Sequence, residues 1–131
     1  MQNIDKVINY TKELKLLFIE DEKDVRDMTL FFFEDLFDDI IIAKDGNDGL
    51  EKFRNNKIDI VITDINMKNM CGLELIKNIK KIDDKVPIFI FSAFTEAKYT
   101  DVATKLGVNG YLHKPLDSEI FLKQLSSLIE V

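Results

Sequence analysis

The chain alternates between short apolar runs and longer stretches in which apolar residues recur at helical spacing. Five runs, rich in Ile, Val, Leu or Phe and mostly free of polar residues, cover residues 14–19, 40–43, 58–63, 87–91 and 108–112. Nearly continuous apolar runs of this length are typical of strands that are buried on both faces of a parallel sheet. The pattern therefore predicts five parallel strands.

A helical pattern follows each of the five runs. In the first pattern Val25, Met28, Phe32 and Leu36 recur at intervals of three and four residues, with Asp24 as the expected N-cap. The other four patterns lie around residues 50–53, 73–79, 97–106 and 120–129. Strands that alternate with helices in this way predict an α/β fold, a doubly wound parallel sheet with helices on both faces.

The five strand and helix pairs follow one another without a linker or a low-complexity segment, so we expect one domain over residues 14–131. Residues 1–13 precede the first strand, and there Ile4, Val7 and Ile8 fall on one face of a possible helix. We expect an N-terminal helical extension that covers the sheet or frays. A dimer contact is an open alternative, and so is a membrane-surface helix, although the segment lacks the basic face that such helices carry.

The composition of the chain excludes several classes of binding partner and structural site. The chain has 131 residues, with 18 Lys and Arg against 24 Asp and Glu and a net charge of −6, which argues against direct nucleic acid binding. One cysteine and one histidine exclude an internal disulfide and a zinc site. The sequence shows no run long enough to span a bilayer and no signal-peptide pattern, so we expect a cytoplasmic chain without a membrane partner.

Residues suited to phosphoryl chemistry stand where four of the five predicted strands end. Glu20 and Asp21 follow the first strand, Asp64 the third, Ser92 the fourth and Lys114 the fifth. Parallel strands bind ligands at their carboxyl ends, where three carboxylates would repel one another without a cation. Mg²⁺ prefers carboxylate oxygens, and a hydroxyl beside an ammonium suits a phosphoryl group. The pattern indicates a Mg²⁺-dependent phosphoryl site, with separate solvated strand caps as the plainer alternative.

Five segments of the chain resemble the receiver domains of two-component response regulators. They are LFIEDE at residues 17–22, DIVITDINM at 59–67, GLEL at 72–75, PIFIFSA at 87–93 and GVNGYLHKP at 107–115. The order and spacing of these segments make the resemblance specific, and it extends from residue 14 to residue 131. It implies a flavodoxin-like sheet in the strand order 2-1-3-4-5, with residues 14–131 as the receiver domain.

The resemblance also implies roles for the residues at the strand ends. Asp64 would be the phosphoacceptor, attacking a phosphohistidine or a small phosphodonor, and would also bind Mg²⁺. Asp21 would bind Mg²⁺ directly, Glu20 directly or through water, and Asn66 through its backbone carbonyl. Ser92 would donate a hydrogen bond to a phosphoryl oxygen. Such a domain is a regulatory phosphoacceptor that catalyses only its own phosphoryl transfer and dephosphorylation.

Two further residues would complete the switch. Lys114 would pair with a phosphoryl oxygen, and Tyr111 would turn inward when Ser92 moves, altering the surface of the fourth helix, fifth strand and fifth helix. A half-buried strand aromatic with its hydroxyl in water is the alternative for Tyr111. Base rates predict a trans Lys114–Pro115 bond, whereas the resemblance implies a cis bond. The sequence departs from the family pattern at Lys68, where proline is usual, and at Cys71, where aspartate is often found.

The resemblance implies a histidine kinase or phosphotransfer protein as phosphodonor. It also implies a downstream effector protein or an output domain outside this chain, and a phosphorylation-dependent homodimer is possible. A flavodoxin-like electron carrier is disfavoured because Glu20, Asp21 and Glu22 would repel a phosphate after the first strand. The P-loop motif is absent. A receiver-like interaction module that works without phosphorylation stays open as an alternative.

Overall fold

Helices and strands alternate along the whole of the described chain. The computed structural model describes residues 4–93 and 97–129, and the side chains of all of these except 97–100 and 129. The helices are α1 (Ile4–Lys12), α2 (Lys23–Phe33), α3 (Gly46–Asn55), α4 (Gly72–Ile82), α5 (Ala97–Leu106) and α6 (Ser118–Ile129). The strands are β1 (Lys15–Ile19), β2 (Asp39–Ala43), β3 (Ile60–Thr63), β4 (Ile88–Ser92) and β5 (Gly110–His113).

The five strands form one parallel sheet in the order β2-β1-β3-β4-β5. In the middle of this sheet Leu17 of β1 lies opposite Ile41 of β2 on one side and Val61 of β3 on the other. The doubly wound, flavodoxin-like fold predicted from the sequence is thus confirmed, and every predicted strand boundary lies within two residues of the observed one.

The sheet separates two apolar clusters, one on each face. One cluster joins β-strand residues to α3, α4 and α5, and the other joins them to α1, α2 and α6. In the second cluster the ring of Phe33 meets Phe18 edge-on with centroids 5.0 Å apart, and Phe121 lies 5.6 Å away. Packing on both faces explains why β3 and β4 are buried along their whole length and read as continuous apolar runs.

The predicted buried face of α2 is partly wrong. Met28 is 76% exposed, and Leu36 follows the helix, which ends at Phe33. The N-cap is Glu22 rather than Asp24, and its side chain makes no capping hydrogen bond. The sequence pattern identified the helix but not the side that packs on the sheet.

The helix α1 precedes the sheet and packs against α6. Its Val7 is buried in the cluster that contains Phe121 and Leu125 of α6. At its other end the ammonium of Lys12 lies 3.4 Å from a carboxylate oxygen of Asp38, the residue directly before β2. Among the described residues, no helix combines the length and apolar character needed to cross a membrane.

Candidate functional site

The acidic residues predicted to meet at the carboxyl edge of the sheet do meet there. Glu20 and Asp21 follow β1, Asp64 follows β3, and each offers a carboxylate oxygen within 4.8 Å of those of the other two. Lys114, which follows β5, places its Nζ atom 2.7 Å from Oε1 of Glu20 and 2.8 Å from Oδ2 of Asp64. One ammonium group therefore bridges two of the three carboxylates.

Glu20 is completely buried at the end of β1. Its backbone N–H donates to the carbonyl of Ala43, and its Oε2 accepts from the backbone N–H of Glu22. Burial raises the pKa of Glu20; the Lys114 ammonium opposes this shift, and the charge of Asp64 adds to it. A buried carboxylate of this kind is stabilised by a positive charge nearby.

Asp64 is also buried, and both of its carboxylate oxygens are engaged. Oδ1 accepts a hydrogen bond of 2.7 Å from the backbone N–H of Ile65, and Oδ2 accepts from Lys114. The backbone N–H of Asp64 donates to the carbonyl of Ile19 in β1. These contacts hold the carboxylate over the neighbouring strand end, beside Glu20 and Asp21.

The Lys114 side chain is largely enclosed and lies 5.3 Å from the centre of the Phe91 ring. Burial opposes its charge, yet the hydrogen bonds with Asp64 and Glu20 raise the pKa of Lys114 above its ordinary value. Lys114 is therefore charged at neutral pH. The Lys114–Pro115 bond is cis, as the resemblance implies and unlike the expectation from base rates.

The remaining predicted residues lie at or near the same edge. Ser92, the buried last residue of β4, accepts a backbone hydrogen bond from Lys114. Tyr111 is half-buried in β5, opposite Ile90, with its ring 5.2 Å from that of His113. Asn66 is exposed in the loop after Asp64. The roles of Ser92, Tyr111 and Asn66 stay predictions, because proximity alone does not test them.

The loop after β3 depends on a glycine. The backbone N–H of Gly72 donates to the carbonyl of Ile65 over 2.7 Å, which folds the loop back over the end of β3. Cys71, which precedes it, is exposed, as is Lys68. The two departures from the family pattern therefore lie on the outer side of the loop rather than among the clustered carboxylates.

Sequence reasoning missed one residue at the site, Arg26 of α2. Its guanidinium Nη1 donates to the backbone carbonyl of Glu20 over 2.8 Å. A contact with a main-chain atom leaves no mark in the hydrophobic pattern. The only signal was a basic residue in the first turn of the helix that follows the acidic segment.

The donor set fits a hard divalent cation. Glu20, Asp21 and Asp64 offer only carboxylate oxygens, which suit Mg²⁺ and are poor ligands for soft metals. The buried position of Glu20 and Asp64 makes a compensating charge favourable. Fold and site together define a doubly wound α/β protein with an acidic pocket and a lysine at the carboxyl edge of its sheet.

Comparison with known proteins gives the family. A profile described as "Response regulator receiver domain" matches residues 16–126. The chain is 30% identical over 122 residues to the chemotaxis protein CheY-3 of Vibrio cholerae, covering 91% of this chain and 94% of that protein. It is also 34% identical over 118 residues to the uncharacterized transcriptional regulatory protein YesN of Bacillus subtilis, covering 88% of this chain but 32% of YesN. The chain belongs to the response regulator receiver domain family.

Solved structures agree with this assignment. The N-terminal domain of an uncharacterized protein from Wolinella succinogenes superposes with a TM-score of 0.81 at 33% identity, covering 89% of this chain and 94% of that one. The structure of a CheX-CheY-BeF3-Mg+2 complex from Borrelia burgdorferi gives a TM-score of 0.78 at 28% identity, covering 88% and 89%. The protein is thus a receiver domain of the kind found in two-component and chemotaxis signalling.

Proposed function

We propose that the chain is a phosphorylatable signalling switch whose phosphoacceptor is Asp64. The observation that carries the proposal is the position of Lys114, whose ammonium touches both Asp64 and Glu20 beside Asp21. A lysine in contact with the acceptor can neutralise charge on a transferring phosphoryl group. A cluster of buried carboxylates around the acceptor supplies ligands for a metal ion.

In this proposal a carboxylate oxygen of Asp64 attacks the phosphorus of a phosphohistidine in line with the bond to the leaving imidazole. The P–N bond breaks as the P–O bond forms, and the imidazole takes up a proton. Glu20, Asp21, Asp64 and the backbone carbonyl of Asn66 would hold Mg²⁺, whose positive charge would offset the negative charge of the incoming group. Little covalent machinery is needed beyond positioning and charge.

The residues that would respond to phosphorylation lie on β4, which is the neighbour of β3, and on β5, which is the next strand along the sheet. The Ser92 hydroxyl at the end of β4 donates to one phosphoryl oxygen. The Lys114 ammonium moves from Oδ2 of Asp64 to a second phosphoryl oxygen. Tyr111 then turns toward the space that Ser92 leaves. As a result, a surface changes its affinity for a partner. This surface is formed by α5, β5 and α6, which are the fourth helix, fifth strand and fifth helix of the predicted receiver domain.

We also propose the partners and the division of the chain. Residues 1–13 form a helical extension, and residues 14–131 form the receiver domain. A histidine kinase or phosphotransfer protein supplies the phosphoryl group in the cytoplasm. A downstream effector, an output domain or a second phosphorylated copy reads the signal. The similar CheX-CheY complex from Borrelia burgdorferi includes BeF3 and Mg+2, which supports both the metal and a phosphoryl-like ligand for this chain.

The test is the formation of an adduct at Asp64. The protein is incubated with Mg²⁺ and acetyl phosphate, and intact mass and peptide mapping after borohydride trapping locate any modified residue. We expect one phosphoryl group at Asp64, absent from Asp64→Asn and retained in Asp24→Asn, a change at an exposed residue of α2. No adduct, or an unchanged adduct in Asp64→Asn, would instead favour an interaction module that works without phosphorylation.

A further inference from the structure

The side chain of Arg26 reaches from the first turn of α2 back to the end of β1. Its Nη1 donates to the carbonyl oxygen of Glu20 over 2.8 Å, in a partly buried position. The backbone N–H of Arg26 donates to the carbonyl of Glu22, also over 2.8 Å. Arg26 thus contacts both ends of the segment that carries Glu20 and Asp21.

The contact of Arg26 differs from the others that Glu20 makes. The Glu20 backbone N–H donates to the carbonyl of Ala43. Its Oε2 accepts from the Glu22 N–H, and its Oε1 pairs with the Lys114 ammonium. Arg26 holds the carbonyl oxygen, which shares a rigid peptide plane with the nitrogen of Asp21. Fixing that oxygen therefore fixes the direction in which Asp21 leaves the strand.

We infer that Arg26 is a positioning residue for the Mg²⁺ site, acting through the peptide between Glu20 and Asp21. This inference rests on the proposed function, because it concerns the same metal site. Two effects of Arg26 oppose each other. Its positive charge repels a cation, whereas its hydrogen bond orders a ligand before the cation arrives. Mutation of residues that hydrogen-bond to metal ligands changes metal affinity by about 10–100-fold. The repulsion between a partly exposed charge and a cation is reduced by salt.

The two effects predict opposite signs, which makes the inference testable. Isothermal titration calorimetry at roughly physiological ionic strength would measure the Mg²⁺ affinity of the wild type, Arg26→Gln and Arg26→Lys. We expect Arg26→Gln to bind Mg²⁺ about tenfold more weakly, because the ordering contact is lost. Arg26→Lys keeps the charge and one possible donor on a shorter chain, so its affinity should lie between the other two.

Lys23 provides a matched control. It lies in the same turn of α2, and its ammonium pairs with Asp27 at 2.8 Å on the exposed side of the helix. Lys23→Gln removes the same charge, and its Mg²⁺ affinity should stay within about twofold of the wild type, because screened surface charges act weakly. Equal or tighter Mg²⁺ binding by Arg26→Gln would show that the charge of Arg26 dominates, and would overturn the inference.

A second measurement distinguishes an effect of each variant on folding from an effect on Mg²⁺ binding. Urea unfolding without Mg²⁺ reports the stability of each variant, and amide spectra report the environment of Asp21. If Arg26→Gln does not fold, Arg26→Met decides, because methionine keeps an apolar stem but has neither the charge nor a donor for the Glu20 carbonyl. Weaker Mg²⁺ binding by Arg26→Met than by the wild type supports the inference, and equal or tighter binding overturns it. Failure of the wild type to bind Mg²⁺ would instead overturn the metal site of the proposed function.

Discussion

Gly72 lies against the backbone carbonyl of Asp64, so close that no side chain fits between them. A Cβ atom at residue 72 would overlap that carbonyl oxygen and come within 2.8 Å of Cα of Ile65. The hydrogen bond from Gly72 N–H to the Ile65 carbonyl brings the two segments together. The start of α4 therefore packs directly on the residue that we propose as phosphoacceptor.

Replacing Gly72 should disturb both the fold and the acceptor loop. We expect Gly72→Ala to lower the free energy of unfolding by about 1–3 kcal/mol, the cost of forcing extra atoms into a packed site. Phosphorylation of Asp64 by acetyl phosphate should also slow, because the loop must shift. Urea unfolding and the rate of adduct formation would measure the two effects.

Cys71→Ala is the control for Gly72→Ala, because Cys71 is the preceding residue and is exposed. We expect the control to change neither quantity. Wild-type stability and rate in Gly72→Ala would contradict the close packing of residue 72 against Asp64.

The sequence predicted the sheet and five residues at its carboxyl edge, Ser92 among them, for one physical reason. A strand buried on both faces appears as an apolar run, and its last residue marks the sheet edge where ligands bind. Glu20, Asp21, Asp64 and Lys114 were found by that reasoning, and their carboxylate and ammonium groups do lie together. Chain order alone could not give the distances, since Lys114 and Asp64 are 50 residues apart.

The helix face of α2 could not be predicted because apolar residues occupy every side of its last turn. Residues 30–33 read Leu-Phe-Phe-Phe, so the spacing does not distinguish Phe31 from Phe33. In the structure Phe33 is buried beside Phe18 and Phe121, whereas Phe31 is 78% exposed. The packing of α2 against β1 and α6 determines which phenylalanine is buried. The residue pattern within one helix does not contain that information.

Removal of the Lys114 charge should destabilise the protein through the carboxylates that it bridges. We expect Lys114→Met to lower the free energy of unfolding by about 3 kcal/mol, the low end for breaking a buried ion pair, because the site opens to solvent at Asp21. Mg²⁺ should restore part of the loss, since a ligand that binds the folded state stabilises it. Urea unfolding with and without Mg²⁺ measures both effects.

A double variant tests whether the loss in Lys114→Met comes from the buried carboxylates. Adding Glu20→Gln to Lys114→Met removes one uncompensated charge, so the two changes together should cost less than their sum. Lys44→Met, at an exposed lysine outside the cluster, should have little effect. Strictly additive losses would mean that Lys114 contributes packing rather than charge.

Asp21 should be required for metal binding and dispensable for folding. It is the half-buried member of the carboxylate cluster, so Asp21→Asn removes a ligand and relieves repulsion by Glu20 and Asp64. We expect Mg²⁺ binding to be lost in calorimetry. Stability without Mg²⁺ should be unchanged or raised by up to about 1 kcal/mol, the scale for partly exposed charges. A lower melting temperature in Asp21→Asn would argue against repulsion within the cluster.

Asp48 gives the fold a pH dependence of a defined sign. Burial opposes its ionisation, but the Lys44 N–H and the Lys52 ammonium, each 3.1 Å from its Oδ2, hold the pKa of Asp48 below its ordinary value. A depressed aspartate pKa stabilises the folded state above the unfolded value of about 3.9. That contribution is lost as pH falls through the folded-state pKa. Lys52 also donates to the carbonyl of Ile42 in the edge strand β2, so the same pair covers that edge.

We therefore expect Asp48→Asn to be less stable than the wild type at pH 7, with the difference shrinking as pH falls below about 4. Urea unfolding at a series of pH values measures the difference directly. Because the edge strand would also lose the Lys52 contact, Asp48→Asn should self-associate more readily at neutral pH, which light scattering can detect. A stability difference that stays constant or grows on acidification would show that Asp48 acts through its shape and not through its charge.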